Sequence, residues 1–289
     1  GTTVRWMLAI TGGLVAATVV LDAFGLAVVS AARRPGGLLG NRNFAGEYLA
    51  LALPAALVVF ARSRRSLAIL VVFGFALALT RCRTAWIAAA FGMVAVLALS
   101  DAATRGRRAV AAALVVAGVL LATVMPNRLV WKEANPFAAT LARAVDLDGG
   151  SGQLRVRQYR ATLQVLDARE AWWTGLGPGV WQAAVRAEDR ALARNRIPHS
   201  DYLRVLSDGG VPALGTLGLV LFAAAIASWR RRRENPELAG FLGVLAIVAL
   251  ADAPLFRPEG IVVTGVVLAA LARVPQAGAR SCRLEPAPR

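Results

Sequence analysis

Ile197-Pro198-His199-Ser200-Asp201-Tyr202-Leu203-Arg204-Val205-Leu206-Ser207-Asp208-Gly209-Gly210-Val211-Pro212 closes a long Arg-rich polar segment and opens directly into an apolar run at about 211–229. That passage from polar to apolar decides the fold class. Read as a helix, it places His199, Leu203 and Leu206 on one side at i, i+4 and i+7. Asp201, Arg204 and Asp208 fall on another side, spaced for ion pairs. Gly209 and Gly210 suit a helix stop, and Pro212 suits the first turn of the next helix. His199 is the one histidine of the chain. A proton acceptor with a near-neutral titration range therefore stands where a polar stretch meets a membrane-crossing one.

Working outward, the chain has 289 residues, is 57% hydrophobic and has a mean hydropathy of +0.57, more apolar sequence than a soluble domain of this size needs. The apolar residues come in eight blocks, about 4–30, 44–60, 66–80, 84–100, 109–125, 211–229, 239–254 and 259–273. The class is an all-α polytopic membrane protein, expected to have about eight transmembrane helices with one large helical loop between the fifth and sixth. The expected division is a five-helix region 1–125, a loop domain 126–210 carrying the catalytic elements, a three-helix region 211–273 and a disordered cytoplasmic tail 274–289. Gly1 in place of Met is expected of a portion of a longer protein.

Charge sets the orientation. Arg62-Ser63-Arg64-Arg65, Arg105-Gly106-Arg107-Arg108, Arg230-Arg231-Arg232-Arg233 and the tail (Arg273, Arg280, Arg283, Arg289) fall on one side if all eight segments span. Short basic connections mark the cytoplasmic side. The long stretch then lies outside, with the connections near 31–43, 81–83 and 251–258. The net charge of +16 is therefore read as topology and not as a nucleic-acid surface, since no basic stripe is interleaved with aromatics. The two cysteines, Cys82 and Cys282, make no disulfide framework. Arginines stand on the outer side too: Arg33, Arg34, Arg42, Arg81, Arg83 and eleven in the long stretch. A guanidinium cluster there suits a phosphate-bearing lipid head group, which arginine grips bidentately.

Within the outer stretch, residues 153–170 carry Leu154, Tyr159, Leu163 and Leu166 at helical spacing. Trp172-Trp173-Thr174-Gly175-Leu176-Gly177-Pro178-Gly179-Val180-Trp181 follows, a turn whose tryptophans suit the lipid–water interface. A helix at about 180–194 comes next. Gly175–Gly179 lacks the strand and the Lys-Ser/Thr of a phosphate-binding P-loop. Asp146-Leu147-Asp148 reads either as a metal-holding D-x-D or as a solvated acidic turn. Asp22 and Asp252 lie in or beside apolar segments, where a carboxylate is a functional candidate and a signal for the rival class, a small-anion transporter.

Four places in order resemble the O-antigen ligase and polymerase-like membrane glycosyltransferases, over about residues 38–228. Gly40-Asn41-Arg42-Asn43-Phe44-Ala45-Gly46 resembles the family's Gly-Asn-x-Asn helix opening. Thr80-Arg81-Cys82-Arg83-Thr84-Ala85-Trp86 resembles its Ser-Arg-Gly/Thr element, with Cys82 where serine is usual. Arg155 to Tyr159, then Gly175-Leu176-Gly177-Pro178-Gly179, resembles its Arg-x-x-x-Trp helix and Gly-x-Gly-Pro-Gly turn. His199-Ser200-Asp201-Tyr202-Leu203 through Asp208-x-Gly210 resembles its His-Asn-x-Tyr-Leu and Glu-x-Gly run.

The resemblance implies an enzyme of the bacterial inner membrane. It would move a glycan from an undecaprenyl-diphosphate carrier to a hydroxyl on the periplasmic side, with inversion and without metal, nucleotide sugar or other cofactor. The acceptor would be lipid A-core, a growing glycan or a protein, according to whether the member is a ligase, a polymerase or a protein O-oligosaccharyltransferase. By position, His199 would be general base, and Arg83 and Arg155 would hold the diphosphate. Arg81 would assist, and Arg157 would replace Arg155 if the register slips by two. Asp201, Tyr202, Asp208, Asn41, Asn43, Gly177 and Gly179 would support the site.

Overall fold

The computed structural model describes residues 2–26, 35–129, 131, 133–143, 150–189, 192 and 198–272, and contains no strand among them. In chain order the helices are α1 (Thr2–Ala23), α2 (Arg42–Phe60), α3 (Leu67–Thr80), α4 (Arg83–Ala98), α5 (Ala102–Val124), α6 (Pro136–Ala142), α7 (Gly150–Ala168), α8 (Trp181–Glu188), α9 (Asp201–Arg230), α10 (Pro236–Ala251) and α11 (Pro258–Ala272). Each of the eight apolar blocks carries one helix. Four of them, α1, α2, α5 and α9, are long and apolar enough to cross a membrane. The others have 14 (α3), 16 (α4), 16 (α10) and 15 (α11) residues. At about 1.5 Å per residue they cover roughly 21–24 Å of a hydrocarbon core about 30 Å thick. Length and composition thus mark four spans among the eight. The tail, Arg33, Arg34, Cys282 and the Asp146-Leu147-Asp148 pattern lie outside the described residues.

The centre is α2. Every residue from Leu49 to Phe60 is buried, as expected of a helix apolar all round. Its start is set by Asn41, which has an extended backbone and whose side-chain oxygen accepts the Asn43 N–H at 2.8 Å. Small residues let the helices approach. A Cβ on Gly74 of α3 would overlap the Val115 carbonyl oxygen of α5, and one on Gly118 would overlap the Val71 carbonyl oxygen.

The connections gather at two ends. At one, buried Arg5 donates to Glu237 Oε1 and Asn235 Oδ1, each at 2.7 Å, joining the start of α1 to the α9–α10 connection. Arg231 reaches the Ala270 carbonyl of α11 at 3.2 Å at that end. At the other, Asp22 Oδ2 accepts the Gly36 and Gly37 N–H groups at 3.2 and 2.7 Å, and Arg128 N–H donates to the Ala23 carbonyl. Asp22 is therefore engaged in a turn.

The outer stretch folds on itself and onto α9. The buried face of α7 is Gln158, Ala161, Thr162, Val165 and Leu166, while Leu163 is exposed and Tyr159 half-buried, so the expected apolar stripe is rotated. The reason is Trp181. It is 2% exposed, packs on Ala161 and Val165, and donates its indole N–H to Thr162 Oγ1 at 2.7 Å. It is a core residue, not an interfacial anchor; Trp173, 72% exposed, keeps that reading open for itself. The expected glycine stop at 209–210 is a break inside α9: Gly210 has φ 70° and ψ −166°, and Pro212 opens the second half. The break receives the Trp172–Gly179 turn. Val211 N–H donates to the Trp172 carbonyl at 2.7 Å, Leu176 N–H to the Ser207 carbonyl at 2.6 Å, and a Cβ on Gly175 would lie 2.6 Å from the Asp208 carbonyl.

Gly74→Leu is expected to overpack the α3–α5 crossing and cost at least about 1–3 kcal/mol. Gly106→Leu, with nothing within 4 Å of its Cβ position, is expected to leave stability unchanged. Thermal unfolding of the detergent-purified variants checks this; equal midpoints would contradict the crossing.

Candidate functional site

The site begins with orphan carbonyls. The last C=O groups of a helix have no partner within it, and at the end of α10 two of them are taken by α7. Arg155 Nε donates to the Ala251 carbonyl at 2.7 Å, and the Tyr159 hydroxyl donates to the Leu250 carbonyl at 2.9 Å. Residues 155 and 159 are one helical turn apart, so a single face of α7 docks there. A cavity of about 390 Å³ remains beside the contact, lined by Arg83, Thr84, Arg155, Tyr159, Ile247 and Leu250 among others. Two guanidinium groups from distant parts of the chain thus face one space whose other walls are largely apolar. Arg83 also donates to the Arg143 carbonyl.

His199 stands next to this cavity and is not part of its lining. The helix starts at Asp201, with Ser200 as its cap (Leu203 N–H to Ser200 Oγ, 3.3 Å), so His199 precedes it and does not share a face with Leu203 and Leu206 as expected. Ser200 supplies the acceptor that the Leu203 N–H lacks within the helix, which fixes the cap one residue after the histidine. Tyr159 links the two places, its hydroxyl being 2.8 Å from Ser200 Oγ. The His199 N–H donates to Gln158 Oε1 at 3.1 Å. The side chain is 38% exposed, so a molecule can reach the ring.

The imidazole Nδ1 lies 3.5 Å from Asp252 Oδ1, a long contact of the kind that tightens on ligand binding. A carboxylate only accepts, so Nδ1 carries the proton in that pair and Nε2 keeps its lone pair in the neutral ring. Asp252 is 3% exposed, and it also accepts from Arg257 and from its neighbour Ala253 N–H. Burial by itself raises its carboxyl. The hydrogen bond to His199 and the charge of Arg257 outweigh that and hold it well below the usual carboxylate range. Arg257 in turn donates to Glu47 Oε2 of α2 at 2.7 Å and stacks 3.6 Å from the Phe44 ring centroid.

The remaining expected residues divide between the site and its surroundings. Arg81, at φ 51°, donates to Thr140 at 2.9 Å and Glu133 at 3.2 Å and covers Trp131, pinning the start of the outer stretch to the α3–α4 turn. Arg157 pairs with Asp189 at 2.8 Å, away from the cavity lining. Asp201 Oδ2 accepts the Leu255 N–H at 3.0 Å instead of pairing with Arg204, whereas Arg204 and Asp208 pair at 3.7 Å as expected. Tyr202 donates to the Ala246 carbonyl at 3.3 Å, one turn before Leu250 in α10. Asn41 caps α2, and Asn43 supplies the N–H it accepts. Gly177 and Gly179 take left-handed φ values of 92° and 78° in the turn. The sequence reading passes over Glu47, Arg257 and Gln158, and gives Asp252 as a functional candidate and a transport signal. Glu47 carried a usable signal, being a lone carboxylate in an apolar run.

The O-antigen ligase family matches residues 67–218, just over half of the chain. The chain belongs to this family. It is thereby a membrane protein of a class that transfers glycans. No curated protein matches the sequence. The matched region contains Arg83, Arg155 and His199, and it leaves out Glu47, Asp252 and Arg257, the charges around the histidine.

Burial, followed by the nearby charge of Glu47, pushes the Cys82 thiol up to about 12. A raised thiol stays neutral below that pH, and the thiolate is the reactive form. In a Cys282→Ser background, maleimide labelling of folded protein at pH 8.5 is therefore expected to run roughly 10³-fold slower than after denaturation. Comparable rates would refute the buried position of Cys82.

Proposed function

We propose that this protein transfers a glycan from an undecaprenyl-diphosphate carrier to an acceptor hydroxyl, on the periplasmic face of the bacterial inner membrane. The observation that carries the reading is the convergence of Arg83 and Arg155 on one cavity, with His199 and its carboxylate partner directly behind the Tyr159 wall. All eight apolar helices span in this reading, with residues 126–210 as the outer domain between regions 1–125 and 211–273. The basic connections near Arg62, Arg105 and Arg230 then face the cytoplasm, in keeping with their charge.

The diphosphate lies against the two guanidinium groups, which offset the charge that grows on the leaving oxygen. The acceptor hydroxyl gives its proton to His199 Nε2 as its oxygen attacks the anomeric carbon. The new C–O bond forms while the bond from that carbon to the diphosphate oxygen breaks, and attack opposite the leaving group inverts the centre. Asp252 holds the ring in the required tautomer and stabilises the imidazolium that results. Diphosphate is a good leaving group, so the step needs no strong acid. Lipid A-core, glycan and protein hydroxyls all satisfy this chemistry.

His199→Ala is expected to lower transfer by about 10²–10⁴-fold, and Arg155→Ala by about 10²–10³-fold. Arg157→Ala is expected to stay within a few-fold of the parent, because its partner is Asp189. Transfer of labelled lipid-linked glycan is measured in membranes at matched expression. Undiminished transfer by His199→Ala would remove the base from this mechanism.

A further inference from the structure

We propose that Arg257, held between Glu47 and the ring of Phe44, is a positioning residue that sets the tautomer and protonation of His199 through Asp252. The inference rests on the reading of His199 as the base only for its catalytic meaning. The geometry stands on its own. Arg257 Nη1 is 2.7 Å from Glu47 Oε2, while its Nη2 donates to the same Asp252 Oδ1 that faces His199 Nδ1. The guanidinium lies 3.6 Å from the Phe44 ring centroid, which fixes its plane. Arg257 is 13% exposed, and Glu47 and Asp252 are each 4% exposed, so water screens this chain of charges weakly.

Two donors share one oxygen. Arg257 is permanently charged, so it opposes the charging of the imidazole on the other side of Oδ1. Glu47 offsets part of that opposition from α2. The other titratable or charged groups around the ring are Asp201 and Tyr202 on α9 and Arg155 and Tyr159 on α7. Asp201 accepts from Leu255, Arg155 and Tyr159 are bound to α10 carbonyls, and Tyr202 is bound to the Ala246 carbonyl. None of them contacts Arg257 or Glu47 in these hydrogen bonds, so substitutions at those two positions leave them in place. Glu47 and Phe44 belong to the stretch that opens α2. That stretch reaches the histidine through Arg257 and Asp252.

With one histidine in the chain, ¹⁵N-histidine labelling of the detergent-purified protein, carrying no histidine tag, reports on His199 alone. Two-bond ¹H–¹⁵N correlations give the tautomer and the titration midpoint without donor or acceptor. The parent is expected to show the proton on Nδ1. Arg257→Gln is expected to raise the midpoint by roughly one pH unit, and Glu47→Gln to lower it by about half a unit. Asp252→Asn is expected to lower it and to mix the tautomers. Arg257→Lys, keeping the charge, is expected to stay nearer the parent than Arg257→Gln. Because Arg257→Gln leaves two buried carboxylates facing each other, the isosteric Glu47→Gln carries the test alone if that variant fails to fold. Unmoved midpoints, or shifts of the same sign for Glu47→Gln and Arg257→Gln, would overturn the proposal. A glycan-transfer failure by itself would not bear on it.

Discussion

Three ionisable side chains from three places meet out of water at one end of the helices: Glu47 from α2, Asp252 after α10 and Arg257 before α11. Taking such groups out of water is costly, and only a geometry in which each is answered makes it tolerable. Here the fork of one guanidinium answers both carboxylates, and Phe44 covers its face. Removing the guanidinium leaves two buried carboxylates without their cation, a change worth roughly 3–5 kcal/mol in comparable buried pairs. That constraint ties the central helix to the α10–α11 connection. It also decides where Asp252 can be, and with it the ring of His199.

A second dependence follows from the helix ends. The final carbonyls of α10 need donors, and they recruit Arg155, Tyr159 and the Asp201 N–H, which donates to the Asp252 carbonyl at 3.2 Å. The partial negative charge at a helix C-terminus makes an arginine a fitting partner there. The same contacts therefore dock the outer stretch and bring Arg155 to the cavity that Arg83 also lines. Stability and site geometry rest on one set of hydrogen bonds, so the outer stretch cannot shift along α10 without dispersing the guanidinium groups.

How much of this was legible depends on the range over which each signal acts. The eight helices follow from apolar block length, and the α9 break from Gly209, Gly210 and Pro212, all local features. Arg83, Arg155 and His199 were found through short motifs. Their surroundings were not, because the partners are remote: Glu47 and Arg257 are 210 positions apart. The stripe on α7 was misread because Gln158 and Thr162 are buried for their partners, His199 N–H and the Trp181 indole, and not for apolarity. Trp181 looked like an interfacial residue for the same reason, since an aromatic with a polar edge suits both an interface and a core that offers an acceptor. His199 was placed inside the helix because hydrophobic periodicity carried back past Ser200, where the cap stops it.

The outer arginines then sort by what holds them. Arg81, Arg157, Arg204 and Arg257 each have a carboxylate partner, and three of these four also stack on an aromatic ring or reach a second acceptor that fixes a loop. Arg83 and Arg155 bind backbone carbonyls, of Arg143 and Ala251. A carbonyl orients a guanidinium without cancelling its charge. An arginine paired with a carboxylate presents little net field to an incoming anion, whereas one oriented by a carbonyl keeps most of its own. Arg155, oriented by the Ala251 carbonyl, keeps its charge toward the cavity that Arg83 also lines.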